Sequence, residues 1–289
     1  MNSISQSAAS QHLQELERSM QVKLVDRATR PLTLTEAGRV YGEFCRDVVR
    51  RRQEFTVELE TLKGRAEGKV RVASIYSVGL SEMSRLEEKF AERCPAAELW
   101  VDYLRPEKVY EAVQGDRADL GLVSYPEPSK ELQVIPWREE KMTVVVAPGH
   151  PLAKREVVSA RQLDGESFVG FDEDLPISRD VKRFLREAGV DVDLVMRFDN
   201  IQTMKEAVAL GSGISILPER ILRQDVEQGR LRVIALEDPS LSRPLGILHL
   251  RKKKFNRATQ IFLDLLLEEP ENGTSLTCHE SSSPTTARR

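Results

Sequence analysis

Cysteine is scarce in this chain of 289 residues, and long hydrophobic runs are absent. The three cysteines, Cys45, Cys94 and Cys278, are far apart and odd in number, which excludes a disulfide framework and a Cys-x-x-Cys metal site. No apolar run approaches the roughly 18–20 residues that cross a bilayer, and the N-terminus has no basic stretch followed by an apolar core. We therefore expect a cytoplasmic, reduced protein with no membrane partner.

An excess of one sign of charge is also missing. The chain has 43 Lys and Arg against 46 Asp and Glu, a formal net charge of −3. This balance argues against a chain-wide polyanion binder but leaves room for a local nucleic-acid face. Hydrophobic residues at 40% and charged residues at 31% are typical of globular proteins, and the length fits two or three domains.

Recognisable catalytic motifs are lacking as well. The four histidines lie in four different parts of the chain, and none has a second ligand at metal-binding spacing. The patterns GxSxG, GxxxxGK[ST] and HExxH do not occur. Gly211-Ser212-Gly213 is half of a dinucleotide fingerprint, and a helix C-cap before a strand explains it better. We expect no enzyme, no catalytic residue, no metal and no cofactor.

The pattern of residues 69–268 is that of an α/β protein. Short β-rich runs such as VRVASIY (70–76), TVVVAP (143–148) and GISILP (213–218) alternate with helical runs such as 80–94 and 218–229. Several of these runs are continuously apolar, as in parallel strands buried on both faces. Two successive sets of such units predict two lobes with a ligand crevice near the strand ends. The Ser/Thr/Pro-rich tail, 269–289, is expected to be disordered.

Residues 1–35 predict a helix, a hairpin and the start of a second helix capped by Thr35. One face of the first helix carries a stripe formed by Ala9, Leu13, Leu16 and Met20, and the opposite face is rich in Gln and Ser. Gln can bond bidentately to adenine edges, and Arg can hold phosphates. The residues expected to contact double-stranded DNA are Ser5, Gln6, Ser7, Ser10, Gln11, Gln14, Arg27 and Arg30.

A long helix is predicted over residues 36–64. Its apolar positions recur with the 3.5-residue period of a coiled-coil seam, interrupted by the charged Arg52. A second copy of the chain is the simplest partner for this seam, and packing on the chain's own C-terminal domain is the alternative. The expected dimer seam consists of Tyr41, Cys45, Val48, Phe55, Leu59 and Leu62.

The first segment, SISQSAASQHLQELERSMQVKLVDRATRPLTLTEAG, resembles the second half of the winged helix-turn-helix of LysR-type transcriptional regulators. The matching features are Ser5-Gln6, Leu16-Glu17, the strand Leu24 to Arg27, and the step Leu34 to Gly38 into a linker helix. The resemblance continues through GKVRVASIYSV, DRADLGLVSYP, VVVAPGHPLA and ALGSGISILPE, so it covers about residues 3–268.

This resemblance implies a dimer or tetramer that binds DNA, with an effector domain of two lobes like the periplasmic binding proteins. The implied segments are a partial winged helix-turn-helix at 1–35, a linker helix at 36–68, lobe I at 69–140 and 238–268, and lobe II at 141–237. An effector in the cleft would alter DNA binding through its different affinity for two arrangements.

The chain departs from the family pattern at its N-terminus. Two further helices precede the recognition helix in the family, and Val25 stands where Phe is usual. Either the start lies upstream, or the chain is a truncated form. A truncated form would be a DNA-silent partner that binds effector and dimerises with intact relatives. A solute-binding protein of transport is a further alternative that the recognition-helix segment disfavours.

The resemblance and the positions of the strand ends agree on the loop from Ser74 to Ser77 as part of the effector site. Later strand ends and helix starts supply the other expected effector residues. Ser77 is expected to cap the helix after the first strand. Arg105 indicates a carboxylate- or phosphate-bearing effector or a salt bridge across the cleft, and Arg179 also favours an anion. The full set is Ser74, Tyr76, Ser77, Arg105, Ser124, Tyr125, Ser178, Arg179, Asn200 and Gln202.

Overall fold

The computed structural model describes residues 5–63 and 68–268, and the chain divides into two compact units, 1–65 and 66–289. The predicted disordered tail, 269–289, lies outside the described residues, as does the end of the predicted linker at 64–67. Within the described ranges, every helix is too short or too polar to cross a membrane.

The first unit is built as the sequence predicts. Helix α1 (Gln6–Met20) leads to an antiparallel hairpin of β1 (Val25–Asp26) and β2 (Thr33–Leu34), and helix α2 (Glu36–Lys63) follows. The hydroxyl of Thr35 accepts a hydrogen bond from the Gly38 amide at 3.0 Å and donates one to the Lys23 carbonyl at 2.6 Å. The predicted Thr35 cap is thereby confirmed.

The second unit alternates strands and helices. Its elements in chain order are β3 (Gly68–Ile75), α3 (Tyr76–Arg93), β4 (Ala97–Leu104), α4 (Pro106–Gln114), β5 (Leu120–Ser124), β6 (Leu132–Val146), β7 (Val157–Val158), β8 (Ser167–Phe171), α5 (Pro176–Glu187), β9 (Asp193–Phe198), α6 (Ile201–Ala209), β10 (Ser215–Pro218), α7 (Arg223–Glu227), β11 (Arg232–Leu236), β12 (Ser242–Leu250) and α8 (Arg257–Glu268).

One long sheet runs through this unit in the order β4-β3-β5-β12-β6-β11-β7, with β10 also paired to β6. Strand β3 is parallel to both β4 and β5, whereas β6 is antiparallel to β12, β10 and β11. Residues up to Lys141 of β6 pair with β12, and residues from Met142 pair with β10 or β11. The sheet changes partners at this point in β6.

Two separate hydrophobic cores flank that point. One surrounds β3, β5, α3 and α8, where the rings of Phe90 and Phe262 meet edge to face. The other surrounds the end of β6, β8, α5, α6 and β10 and includes Val144 and Met204. Burial of these apolar side chains is the main stabilising contribution in each. We call the two parts lobe I and lobe II.

Strand β6 is longer than the sequence indicates. The predicted strand began at Thr143, but the structure starts it at Leu132 and buries Arg138 and Glu140 within it. Alternating charges and Pro136 hide this strand from pattern analysis. The predicted helix over 218–229 is also wrong in part, because the structure has a 3-10 turn at Glu219–Leu222 before the short α7.

An ion cluster ties β3 to β5 and to the turn after β12. The carboxylate of Asp119 forms ion pairs with the Arg71 guanidinium at 2.7 Å and with the Lys253 ammonium at 2.6 Å. Asp116 pairs with the same two cations. Burial raises the pKa of Asp119, but the hydrogen bond from Arg71 and the charges of Lys253 and Arg71 outweigh it. The pKa of Asp119 therefore lies below its ordinary value.

Candidate functional site

Helix α1 presents a polar face to solvent. Ser5 is its N-cap, and the Ser5 hydroxyl accepts a hydrogen bond from the Ala8 amide at 3.3 Å and lies 2.9 Å from the Ser7 hydroxyl. The remaining predicted contact residues of the helix are all exposed, namely Gln6, Ser10, Gln11 and Gln14. Because residues 7, 10, 11 and 14 recur at helical spacing, they form one continuous face.

Glu17 joins this helix to the hairpin. Its buried carboxylate accepts hydrogen bonds from the amides of Leu24 at 2.8 Å and Val25 at 3.2 Å. Arg27 and Lys23 pair with the same carboxylate at 3.4 and 3.5 Å. The Leu24 amide, more than the two cations, holds the pKa of Glu17 below its usual range.

The expected phosphate-binding arginines differ in their surroundings. Arg27 is engaged with Glu17, whereas Arg30 is exposed in the hairpin turn. Sequence reasoning missed the role of Glu17, although Leu16-Glu17 is part of the quoted family motif.

Helix α2 exposes an apolar stripe. Val48, Phe55 and Leu59 of the predicted seam are exposed, and Tyr41 and Cys45 are half-buried. The side chain of Leu62 lies outside the described residues. Val40 and Phe44 were not predicted in the seam, yet both are exposed, Phe44 to 60%. Val40, Phe44 and Val48 follow one another at intervals of four residues. This spacing is a signal for an apolar helix face that the search for a 3.5-residue period did not use.

The loop after β3 is arranged differently from the prediction for Ser77. Helix α3 begins at Tyr76 and its N-cap is Ile75, so Ser77 lies inside the first turn and does not cap the helix. The Ser77 hydroxyl instead accepts a hydrogen bond from Nη1 of Arg243 at 3.0 Å. Ser74 is buried and donates its hydroxyl to the Ile75 carbonyl at 3.1 Å. Tyr76 is exposed and stacks on Tyr103.

A buried charged cluster lies where β6 and β12 meet. Nε of Arg243 donates to the Glu140 carboxylate at 3.0 Å, and Nη2 also donates to Glu140. Arg138 approaches Glu140 at 3.5 Å, and its guanidinium lies 4.1 Å from the ring centroid of Trp137. The side chains of all three charged residues are 2–3% exposed. Sequence reasoning missed this cluster, whose only signal is the charge within WREEK and SRPLG.

Arg105 reaches from lobe I to lobe II. It follows β4 and pairs with Asp174 at 2.9 Å, Asp199 at 3.6 Å and the neighbouring Glu107 at 3.3 Å. Asp174 precedes α5, and Asp199 lies between β9 and α6. Of the two roles that the sequence left open for Arg105, this geometry favours the salt bridge across the cleft.

Tyr125 also meets lobe II. It follows β5 with a φ of 51° and packs against the core of lobe II. Burial and the charge of Asp180 in α5 raise the pKa of Tyr125 well above its usual range. Ser124, half-buried at the end of β5, lies opposite Leu245 of β12.

The predicted residues of lobe II lie at the starts of two helices, α5 and α6. Ser178 is buried, donates to the Phe171 carbonyl at 3.2 Å and lines a cavity of about 480 Å³ between α5 and strands β8 and β9. The side chain of Arg179 is exposed and has no hydrogen bond or ion pair to other described residues. Asn200 caps α6 by accepting the Gln202 amide at 2.8 Å, and the Gln202 side chain bonds to Glu206 at 3.3 Å.

The structure thus brings Ser77, Arg105 and Tyr125 of lobe I to the junction of the lobes. Arg179 precedes Asp180, the aspartate whose charge acts on Tyr125. Asn200 follows Asp199, which pairs with Arg105. The hydroxyls of Ser74 and Ser178 bond to backbone carbonyls of their own lobes. Over the described residues, no three His, Cys, Asp or Glu side chains are grouped so as to hold a metal ion.

Comparison with known proteins gives two family matches. A model described as "LysR substrate binding domain" matches residues 63–271, and one described as "Bacterial regulatory helix-turn-helix protein, lysR family" matches residues 2–39. The RuBisCO operon transcriptional regulator of Allochromatium vinosum is 27% identical over 266 residues, covering 92% of this chain and 88% of that protein.

Solved structures share the architecture of the second unit. The regulatory domain of CcmR from Synechocystis PCC6803, in complex with 2-PG, is 24% identical with a TM-score of 0.62 and covers 70% of this chain and 96% of its own. The effector binding domain of QuiR in complex with shikimate has the same TM-score, 0.62, at 19% identity and the same coverage, 70% and 96%. The predicted α/β fold is confirmed.

Proposed function

Because the chain belongs to the LysR family of bacterial transcriptional regulators, we propose that it binds double-stranded DNA and that a small effector between its lobes changes this binding. The membership in the LysR family that the sequence motifs indicated is confirmed by both family matches. Curated relatives are transcriptional regulators and not enzymes, which also confirms the prediction that this chain is not an enzyme. A cytoplasmic location fits that role.

The observation that carries the DNA-binding proposal is the exposed Gln/Ser face of α1. A helix of this kind enters the major groove and reads base edges with its N-terminal residues, while neighbouring arginines hold phosphates. Glu17 supports this role because it fixes the hairpin, and with it Arg30, relative to α1. Two copies joined along α2 would read two half-sites.

Selection of binding sites from random double-stranded DNA tests this assignment. The full chain should enrich one sequence, and Ser10→Ala or Gln11→Ala should lose about 1–3 kcal/mol of affinity and relax its preference. Gln114→Ala, an exposed glutamine in lobe I, is the control and should behave like the wild type. Enrichment of the same sequence with the same affinity by the α1 variants would refute the assignment. Failure of every protein to enrich a sequence would favour the DNA-silent partner.

The lobe junction is the place we propose for the effector. It combines side chains of both lobes, and the related domains of CcmR and QuiR are described in complex with 2-PG and shikimate. We propose an anionic effector, because Arg179 has no partner among the described residues and Arg105 holds carboxylates already.

A thermal-shift screen at constant ionic strength tests this class. Each small carboxylate is compared with its own amide, which keeps a similar size and shape but carries no negative charge. A ligand present at 100 times its Kd stabilises the folded state by about 2.7 kcal/mol, which is a clear rise in Tm. We expect shifts from carboxylates, and shifts from amides alone would reject the anionic class.

A further inference from the structure

We propose that an ion-pair latch holds the cleft shut, with Arg105 of lobe I bound to Asp174 and Asp199 of lobe II. This inference rests on the proposed effector role of the cleft and adds how its opening is controlled. An anionic effector would take Arg105 from the two aspartates, so that binding of the effector and closure of the latch compete for the same guanidinium.

The geometry joins three separate segments through one side chain. Nη2 of Arg105 donates to Oδ2 of Asp174 at 2.9 Å, and Nη1 lies 3.6 Å from Oδ2 of Asp199. The two aspartates come from different loops, one before α5 and one before α6. A guanidinium is suited to this task because its planar donors can serve two carboxylates at once.

The latch is weak enough to open. Arg105, Asp174 and Asp199 are 41%, 68% and 45% exposed, so water and salt compete for each pair. The Arg243–Glu140 pair is the opposite case, because it is buried and joins the two strands at the junction. We therefore expect the buried pair to persist while the exposed pairs break.

The sheet explains why opening must break these pairs. The lobes are joined through β6, which changes partners between Lys141 and Met142, and through the chain between β11 and β12. The latch residues lie outside these connections, after β4 and before α5 and α6. Rotation of one lobe about β6 therefore separates Arg105 from its two partners.

The distance between the lobes tests the latch directly. In the full chain with Cys45→Ser and Cys278→Ser, nitroxide labels at Gln114→Cys in α4 and Glu187→Cys in α5 report lobe separation by pulsed electron paramagnetic resonance. Excess unlabelled protein removes distances between copies. We expect Arg105→Gln and Asp174→Asn to raise the ratio of open to closed lobes about two- to fivefold, and a rise in NaCl to do the same in the wild type.

Glu173→Gln provides the matched control. It neutralises the carboxylate next to Asp174, but among the described residues Glu173 pairs only within lobe II, with Lys182 at 3.0 Å and Arg197 at 2.9 Å. Its distance distribution should equal that of the wild type. Unchanged distances in both latch variants would overturn the proposal, as would an equal change in Glu173→Gln.

This experiment contains neither effector nor DNA. If the latch fails, the proposed function is still decided by the DNA selection and the thermal-shift screen. If those fail while the distances change as expected, the latch stands and the functional proposal does not.

Discussion

At the scale of single residues, Gly38 shows how closely α2 approaches Leu24, the residue before β1. A Cβ at this position would overlap the carbonyl oxygen of Leu24, which is backbone and cannot swing away. Gly38→Ala should therefore lower the free energy of unfolding by about 1–3 kcal/mol, the usual cost of overpacking. Urea unfolding followed by circular dichroism measures the change.

Gly42, one turn later in α2, is the control for Gly38. The nearest atom to its added Cβ is the Arg46 side chain at 3.6 Å, which is ordinary contact. Gly42→Ala should stabilise the helix by about 0.5–1 kcal/mol, because alanine loses less backbone entropy than glycine. If the two variants change stability alike, the close approach of Gly38 to Leu24 is wrong.

Asp119 makes stability depend on pH. Because its folded pKa lies below its ordinary value, its contribution is present above the unfolded pKa of about 3.9 and is lost as the pH falls through the folded pKa. We expect Asp119→Asn to cost about 2–3 kcal/mol at pH 7, because Arg71 and Lys253 lose a buried partner.

That difference from the wild type should shrink when unfolding is measured below the unfolded pKa of about 3.9, because the unfolded wild-type chain then binds a proton more readily than the folded one. The exposed Asp193 of β9 serves as the control, and Asp193→Asn should change the free energy of unfolding at pH 7 by less than about 0.5 kcal/mol. A difference that stays constant between the two pH values would contradict the role given to Asp119.

At the scale of elements, the exposed stripe of α2 predicts self-association. Phe55 is 59% exposed, and Leu59 lies one turn away on the same face. Each large apolar side chain buried at an interface contributes about 1.5–3 kcal/mol, so Phe55→Ser with Leu59→Ser should weaken dimerisation at least about 100-fold. Sedimentation velocity over a range of concentrations measures this, with Glu43→Ser as the surface control.

The same helix and its neighbours show what sequence patterns can predict. The β-rich runs predicted β3 and β10, and the helical spacing predicted α1 and α2, because local periodicity alone carries that information. The first part of strand β6 was not predicted, because its buried charges are stabilised by a residue far along the chain. Burying the charge of Glu140 or Arg243 alone would destabilise the fold, and each charge is compensated by the other, 103 residues away.

In the candidate site, too, local patterns predicted positions along the chain, whereas contacts between distant residues were not predicted. The sequence placed Arg105 at a strand end next to the cleft, but its partner Asp174 is 69 residues away. Only the fold decides between a ligand and a salt bridge as the partner of Arg105. Ser77 was predicted to be a cap because helix boundaries are uncertain by one or two residues, and here that shift changed its hydrogen-bond partner.

At the scale of the whole molecule, charge is divided unevenly between the two units. Residues 1–65 contain 11 Lys or Arg and 9 Asp or Glu, a net charge of +2, and the remainder carries −5. With so small an excess, the first unit depends on a few well-placed cations to hold phosphates. Arg30, exposed in the hairpin turn, is a leading candidate among them, since Arg27 is engaged by Glu17.

The salt dependence of DNA binding therefore tests Arg30. Each phosphate contact contributes about 0.9 to the slope of log K against log salt, so Arg30→Ala should reduce this slope by about one at every DNA sequence. Arg161→Ala removes an exposed arginine from the second unit and should leave the slope unchanged, because it lies outside the segment expected to contact DNA. Equal slopes for Arg30→Ala and the wild type would remove the hairpin turn from the DNA-binding surface.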